Sequence, residues 1–431
     1  MDSLIIEREK IREPRWRALC DAVGGDVGER IASAMKELCS IYTPDVIDWF
    51  ASLYDVKSAG WYYSGSARDN ESVEYNGKTY LLRPDLESTW QALGFFKNSG
   101  MIEDFDNELS RALPEWIGND LSEWAISCQD PDGYFYHEQW GKSIGLSRRG
   151  RDLWWASNII KSFGKEKKYI SVSDGEKARE SEEIVLPEHL KSKENFAKYL
   201  ESKNIGENSY VTGNDLACQS DLIRHAGLAE QCIEFLDAHQ NENGLWHNEE
   251  NYYAINGVMK ITCVYNNMHR MIPHAEEIVE SCIRVLLSDE PVKGAVDVYN
   301  PWFAMGNLIS SIRELGDNGA EDAKRIIKFI RSLAPDAIRA TARKIVVFKK
   351  ESGSFSYGVK TSAPRSQGMP VAIEGSAEGD INGHILSSTG LLHHIYRGLD
   401  LVDYKVPLFT HCDFDRYIEI LERKRKEFGV I

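Results

Sequence analysis

The sequence has no long run of uncharged apolar residues. A membrane-spanning helix needs about 18 to 20 of them, and no such stretch occurs in the 431 residues. The first segment, MDSLIIEREKIREPRWR, also lacks the apolar core of a signal peptide, because acids and bases interrupt it. We therefore expect no membrane span, no export by that route and a cytoplasmic protein.

The chain also lacks an excess of positive charge. Its formal net charge is −16, and the long-range field of such a protein repels phosphate groups. Nucleic acid and anionic membranes are therefore not expected as partners, although a local basic site could lie inside an acidic shell. The expected partner is a small-molecule or oligosaccharide substrate, and nothing in the sequence sets the oligomeric state.

Motifs of the common cofactor and metal sites are missing. The chain contains no HExxH, GxxxxGK[ST] or GxGxxG, so zincin, P-loop and dinucleotide-binding sites lack support. The eight cysteines are scattered without a CxxC pair, which is typical of reduced, buried thiols. His393 and His394 have no ligand partners at useful spacing. We expect no cofactor and no metal.

What the sequence does contain is a repeated phrase. Gln129 to Phe135 (QDPDGYF) and Gln240 to Trp246 (QNENGLW) share the spacing of their Gln, Gly and aromatic residues, and Lys349 to Phe355 (KKESGSF) repeats it with Lys for Gln. Successive phrases start about 110 residues apart, an interval that suits two helical hairpins. A weaker copy, SAGWYY, contains Gly60.

Each phrase stands between helical patterns. Apolar residues recur at helical spacing before each glycine and after it. The runs that follow start near Leu86, Leu153, Ile255 and Ile381, and the last one extends to Leu399. We interpret the phrase as a helix terminator, in which the glycine supplies a left-handed stop and the aromatic side chain folds back on the turn.

The phrases resemble the QW repeats of the terpenoid cyclases, and the alternation of helix, glycine and aromatic residue is similar to the α/α-toroid glycosidases and polysaccharide lyases. The resemblance covers residues 55–399. It implies an all-α fold, an α/α toroid, in which an inner ring of helices lies within an outer ring and loops at one end line a cavity. The DxDD acid of the class II terpenoid cyclases is absent, which counts against cyclisation started by protonation.

We predict one domain over residues 1–431 with minor β ornaments. Lys344 to Phe348 (KIVVF) is the most β-rich run, and Tyr75 to Leu82 could form a hairpin around its Asn-Gly pair. The VYNPWF segment is expected to open a helix with Pro301 at its first position. Residues 165–183 are highly charged, which indicates an exposed excursion between repeats, with a domain boundary as the alternative.

If the loops after the phrases meet, the polar residues that open the next helices converge at one cavity mouth. Aromatic residues there are usual platforms for sugar rings, although a packed helix corner explains them equally well. Arginines in the first turn of a helix oppose its dipole, so they suggest a bound carboxylate, sulfate or phosphate, with a solvated helix face as the alternative. The predicted substrate-binding residues are Arg148, Arg151, Asp152, Tyr253, Asn256, Trp61, Tyr136, His137 and Arg83.

The densest polar cluster is Glu378 to His384 (EGDINGH). General acid–base catalysis needs two titratable groups in unlike environments. The candidate catalytic residues are Asp380 and Glu378 for hydrolysis, and Tyr252 or His384 for proton transfer in a lyase. Asp380 also stands where an N-cap belongs, so a structural role is the alternative.

Three functions fit these observations. The first is a lyase or glycoside hydrolase that acts on an acidic, uronic-acid-containing saccharide, with arginine neutralising the carboxylate. The second is a terpenoid-cyclase-like or prenyl-transfer enzyme, in which aromatic faces shelter a carbocation. The third is a toroid without catalytic activity that serves as a scaffold. The lining of the cavity distinguishes them: polar with arginines, deep and apolar, or filled.

Overall fold

The computed structural model describes residues 2–102, 109–179 and 184–430. Helices make up 62% of the protein, which confirms the predicted all-α class. The α-helices of the described residues are α1 (Asp2–Val23), α2 (Gly25–Cys39), α3 (Val46–Ser52), α4 (Gly65–Asp69), α5 (Leu86–Ser99), α6 (Leu109–Ala112), α7 (Glu115–Ser127), α8 (Leu146–Ser162), α9 (Glu176–Arg179), α10 (Lys193–Glu201), α11 (Ile205–Cys218), α12 (Ser220–His225), α13 (Ala229–Ala238), α14 (Tyr252–Met268), α15 (Ala275–Leu287), α16 (Val296–Leu315), α17 (Gly319–Ile345), α18 (Ile381–Ser387), α19 (Thr389–Gly398) and α20 (His411–Glu427).

Seven of these helices contact one another in a cycle, which we call the helix cycle. α5 contacts α8, α8 contacts α11, α11 contacts α14, α14 contacts α16, α16 contacts α18 and α19, and both α18 and α19 contact α5. Further helices pack outside this cycle: α7 on α8, α15 on α14 and α16, and α17 on α2, α15 and α16. The chain therefore alternates between helices of the cycle and helices that pack against them.

Neighbouring helices of the cycle run parallel. Asn256, near the start of α14, donates to Asp297 near the start of α16 at 2.9 Å, whereas Asn307, further along α16, donates to Thr262 at 3.2 Å. Close approach between α11 and α14 depends on glycine, because a Cβ at Gly257 would lie 2.4 Å from the hydroxyl oxygen of Ser209. Parallel packing places the first turns of the cycle's helices at one end.

The glycines of the phrases have left-handed backbone, with φ of 83° at Gly133, 78° at Gly244 and 76° at Gly353. The prediction that they stop the preceding helices is wrong. α7 ends at Ser127 and α13 at Ala238, before either phrase begins. Each glycine instead closes a tight turn after the helix, in which its N–H donates to the carbonyl three residues earlier.

The first side chain of each phrase attaches it to another part of the chain. The amide of Gln129 donates to the carbonyl of Tyr169 at 2.9 Å, and that of Gln240 to the carbonyl of Pro273 at 3.1 Å. The ammonium of Lys349 donates to the carbonyl of Ile41 at 2.6 Å. The third phrase therefore joins the C-terminal part of the protein to its N-terminal helices.

Of the two β elements predicted from the sequence, one is present and the other is not. The expected hairpin is present, with β1 (Ser72–Tyr75) and β2 (Lys78–Leu81) paired antiparallel. The strand expected at residues 344–348 is wrong: α17 continues to Ile345 and a 3-10 turn follows. Among the described residues, no strand pairs with residues 344–348. A second hairpin joins β3 (Arg365–Ser366) to β4 (Met369–Pro370).

Two helix boundaries also differ from expectation. Pro301 lies inside α16, which begins at Val296, because the carboxylate of Asp297 accepts the N–H groups of Lys293 and Gly294 and fixes an earlier start. The last apolar run is divided into α18 and α19 at Ser388, whose φ and ψ of −133° and −106° are not helical.

The charged segment at residues 165–183 is partly packed. Tyr169 bonds to the first phrase, Val172 and Ala178 are buried, and residues 180–183 lie outside the described part. One hydrophobic core extends through the protein. None of the helices in the described ranges combines the length and the apolar character that crossing a bilayer requires.

The bond from Lys349 to Ile41 can be tested by substitution. We expect Lys349→Met to lower the free energy of unfolding by about 1–3 kcal/mol, because a charged donor is lost from a part-buried carbonyl. Lys349→Gln should retain most of the stability, since glutamine makes the same kind of bond in the other two phrases. Urea unfolding measures both variants.

Lys350→Met is the matched control, because the ammonium of Lys350 donates only to the nearby carbonyl of Lys360. An equal loss of stability in Lys349→Met and Lys350→Met would contradict the bridging role.

Candidate functional site

The loops that follow three of the phrases pack against one another. Tyr63, Trp140, Ile144 and Met369, from the loops after Gly60, Gly133 and Gly353, share one small hydrophobic cluster. The loop after Gly244 lies at the start of α14, where the ring of His247 is 5.3 Å from that of Tyr253. We call this end of the helix cycle the loop end.

A buried ion cluster lies at the loop end, between α5 and α8. Arg148 is fully buried. Its guanidinium lies 3.1 Å from the Glu87 carboxylate, 3.0 Å from Asp152 and 3.6 Å from Asp85. The Cζ atom of Arg148 lies 4.1 Å from the centroid of the Trp140 ring. A desolvated charge of this kind is stable only when it is paired, and the three carboxylates supply the pairs.

Three carboxylates around one guanidinium do not all keep their charge. Burial raises the pKa of Asp152 to about 7, even though Arg148 opposes the shift. Burial also raises the pKa of Asp85. The cluster therefore holds a proton on Asp152 near neutral pH, which reduces the repulsion among the carboxylates.

This geometry corrects the expected role of Arg148. A guanidinium with no exposed surface and three carboxylates around it is not accessible to a ligand. Carboxylates of the protein itself offset the unfavourable interaction between Arg148 and the dipole of α8. Two of these carboxylates come from outside α8, so the sequence pattern of that helix alone does not reveal them. Asp152, expected to bind substrate, belongs to the same cluster.

Asp380 has the geometry of an N-cap. Its carboxylate accepts the N–H of Gly383 at 2.7 Å and that of Tyr357 at 2.8 Å. It is fully buried, and burial raises its pKa to about 7. Glu378 lies apart from it and accepts the N–H of Ser66, at the start of α4, at 2.9 Å. The two carboxylates thus serve different helix starts.

His384 and Tyr252 are not brought together with Asp380. The His384 ring packs between Trp49 and Phe95, with centroids 5.3 and 5.4 Å away, and burial lowers its pKa to about 3. The Tyr252 hydroxyl accepts from Lys344 of α17. Both side chains therefore contact residues outside the helix cycle, and the lyase pair expected from the sequence is not formed.

The remaining predicted residues have varied surroundings. Trp61 is part of the core, in contact with Phe50 and Tyr54. His137 is buried and accepts the N–H of Leu86 at 3.2 Å, so it caps α5. The others lie at the loop end: Tyr136 donates to Asp132, Arg83 lies 3.5 Å from Glu138, Asn256 bonds Asp297, and Tyr253 is 36% exposed.

A second set of polar residues lies one to two turns deeper along the helices of the cycle. Arg151 of α8 donates to Asn214 of α11 at 2.7 Å. Lys260 of α14 lies 5.7 Å from the Tyr210 ring centroid and interacts electrostatically with Arg151. Within the described chain, no carboxylate oxygen lies within ion-pair distance of Lys260 or Arg151. We call Arg151, Asn214, Tyr210 and Lys260 the inner cluster.

Lys260 is unusual for a lysine. Its side chain is 8% exposed, and burial, followed by repulsion from Arg151, lowers its pKa to about 7. Burial therefore favours the uncharged amine of Lys260 more than in an exposed lysine. Aromatic side chains continue around the same surface, with the Trp90 and Trp154 centroids 5.5 Å apart and Trp154 54% exposed.

The β3–β4 hairpin covers the loop end. The Ser366 hydroxyl donates to Glu87, the Asn214 amide donates to Gln367 at 3.3 Å, and the Trp140 indole donates to the Pro370 carbonyl at 3.2 Å. The hairpin thus links the ion cluster to the inner cluster.

The sequence analysis assigned no role to Lys260, Tyr210 or Asn214. Tyr253, Asn256 and Lys260 recur at intervals of three and four along α14, which indicates one helix face. That spacing was the available signal, but it does not say which face points inward. No family model, curated protein or solved structure matches the chain.

The two arginines of α8 should respond differently to substitution. We expect Arg148→Met to lower the free energy of unfolding by about 3–5 kcal/mol, because it leaves buried carboxylates without a partner. Arg151→Met should cost much less, since its hydrogen-bond partner is the neutral Asn214. Denaturant unfolding at pH 8, where the carboxylates are most ionised, measures the difference. Equal losses, or a larger loss in Arg151→Met, would contradict the assignment.

Proposed function

We propose that the chain is an α/α toroid and a lyase, which cleaves an acidic, uronic-acid-containing saccharide by β-elimination at the inner cluster. The toroid reading is supported by the closed cycle of parallel helices and by the helices packed outside it. The observation that carries the functional proposal is the inner cluster itself. In a protein of net charge −16, two cations face each other there without a carboxylate partner among the described residues.

Anion recognition would fall to Arg151. A guanidinium binds a carboxylate through two parallel hydrogen bonds. The Arg151 guanidinium interacts with the Asn214 amide through Nη2 and with the Cys218 thiol, and no carboxylate of the described residues pairs with it. Binding a uronate carboxylate there would satisfy the buried Nε, which has no hydrogen-bond partner. Neutralising that carboxylate also acidifies the C–H bond beside it, which is the bond that elimination breaks.

Proton transfer would fall to Lys260 and Tyr210. The uncharged amine of Lys260 takes the proton from the carbon next to the carboxylate, and the electron pair of that C–H bond forms a double bond to the next carbon. The glycosidic C–O bond on that carbon breaks, and the leaving oxygen takes the proton of the Tyr210 hydroxyl. Transfer of a proton from the Lys260 ammonium to the Tyr210 phenolate restores both groups.

Hydrolysis is less well supported. It needs two carboxyl groups on opposite sides of the scissile bond, and the buried carboxylates at the loop end are engaged as caps or ion pairs. Carbocation chemistry is disfavoured as well. The aromatic rings could shelter a cation, but Arg151 and Lys260 would repel it.

Variants of Lys260 test the proposal. Uronic-acid oligosaccharides are screened for the ultraviolet absorbance of an unsaturated product and for new reducing ends. We expect Lys260→Met to lower kcat by about 10²-fold or more, the usual contribution of a general base. Lys260→Arg should retain binding but not turnover, because arginine keeps the charge and cannot act as a base at neutral pH. In the wild type, kcat/KM should rise as the pH passes about 7.

The matched control is Lys424→Met. Lys424 is a part-buried lysine whose pKa burial lowers to about 8, and it donates to the carbonyl of Tyr54 outside the helix cycle. This variant should lose stability and keep its kcat. Full kcat in a folded Lys260→Met protein would remove Lys260 from the mechanism, and new reducing ends without the unsaturated product would assign hydrolysis.

A further inference from the structure

A second group of cations lies towards the C-terminal ends of the cycle's helices. Arg397 of α19 and Lys405, which follows α19, interact electrostatically with each other. His393 and His394 lie beside them, with ring centroids 5.1 Å apart. We call Arg397, Lys405, His393 and His394 the far cluster.

Among the described residues, the hydrogen-bond partners of Arg397 are neutral. Its guanidinium lies 3.3 Å from the Asn307 side-chain oxygen, 3.2 Å from the Ser310 hydroxyl and 3.4 Å from the Gly306 carbonyl. Its Cζ lies 5.9 Å from the Phe303 ring centroid. Burial lowers the pKa of Arg397, which shows that the neutral partners do not fully compensate its charge.

Lys405 also has neutral hydrogen-bond partners among the described residues. Its ammonium bonds the ring nitrogen of His393 at 2.9 Å and the amide oxygen of Asn98, on α5, at 3.2 Å. Burial and repulsion from Arg397 lower its pKa to about 8. No described carboxylate lies within ion-pair distance of either cation.

Helix dipoles explain part of this arrangement but not all of it. A cation near a helix C-terminus is stabilised by about 0.3–1 kcal/mol when it is exposed. That effect does not require two part-buried cations beside each other, where each raises the cost of the other. Arg313, near the C-terminal end of α16, shows a different arrangement, because it is more exposed and pairs with the carboxylate of Asp400. An anion bound between the unpaired cations accounts for their proximity.

The two clusters lie along one surface of the helix cycle. The thiol of Cys263, on α14 one turn after Lys260, interacts electrostatically with Lys260, Arg151 and Arg397. Asn307 donates to this sulfur at 3.5 Å and accepts from Arg397. Cys263 and Asn307 therefore lie between the inner cluster and Arg397 along α14 and α16.

We propose that the far cluster is a second anion subsite, which binds another acidic group of the same saccharide chain. This inference rests on the proposed function, since it takes the saccharide as the ligand of the inner cluster. It assigns a substrate with acidic groups on more than one sugar, and it gives longer acidic chains an advantage over a single uronic acid.

The test compares the binding of a tri-uronate oligosaccharide with that of glucuronic acid by calorimetry on the full-length protein. We expect the wild type to prefer the tri-uronate. Arg397→Met and Lys405→Met should each reduce that preference by about tenfold, the worth of one charge-assisted hydrogen bond. Arg397→Lys should restore part of it. Arg313→Met is the matched control and should leave the preference unchanged, because its partner is Asp400.

A preference that is unchanged in folded Arg397→Met and Lys405→Met proteins would overturn the proposal. Inorganic phosphate is titrated in parallel. Phosphate binding that Arg397→Met abolishes, in a protein that binds no tri-uronate, would assign the far cluster to a free anion and overturn the saccharide assignment. If Lys260→Met loses turnover but still prefers the tri-uronate, catalysis depends on the inner cluster and the length preference on the far cluster. This result supports both assignments.

Discussion

The structure depends on one constraint, that parallel helices bring many helix N-termini to the same end. Each N-terminus exposes backbone N–H groups that have no partner within the helix and that carry a partial positive charge. Asp85 caps α5, Asn251 caps α14 and Asp380 caps α18. Acidic and polar side chains of the loop end therefore cap helices, and only those that cap no helix are available for catalysis.

The same constraint explains the ion cluster on α8. This helix has no side-chain cap at Gly145, and its first turn carries Arg148 against the dipole. Asp85, Glu87 and Asp152 compensate the guanidinium, and burial, with a smaller contribution from the other two carboxylates, raises the pKa of Asp152 to about 7. Deeper along the helices no caps are needed. No described carboxylate lies within ion-pair distance of Arg151 or Lys260, and Glu87 acts on both from further away.

The sequence predicted the features that local patterns determine. The glycine-containing phrases, the helical runs and the Asn-Gly hairpin follow from backbone preferences within a few residues. The site did not follow from such patterns, because its residues come from helices far apart in the chain. Asp380 showed both a capping and a catalytic pattern, and only the positions of Gly383 and Tyr357 reveal the cap. His384 was expected at the cavity, but its contacts with Trp49 and Phe95 are made across different helices.

The central claim is that Lys260 is a buried amine without a counter-ion, held in a form that can take a proton. An NMR titration of lysine side chains, with the Lys260 signal assigned by its loss in Lys260→Met, measures this directly. Our account predicts that Lys260 titrates near pH 7 and that a bound uronate raises its pKa, because an added negative charge favours the ammonium form. Titration near pH 10.4, the value of an ordinary lysine, or a pKa that uronate leaves unchanged, would contradict the account.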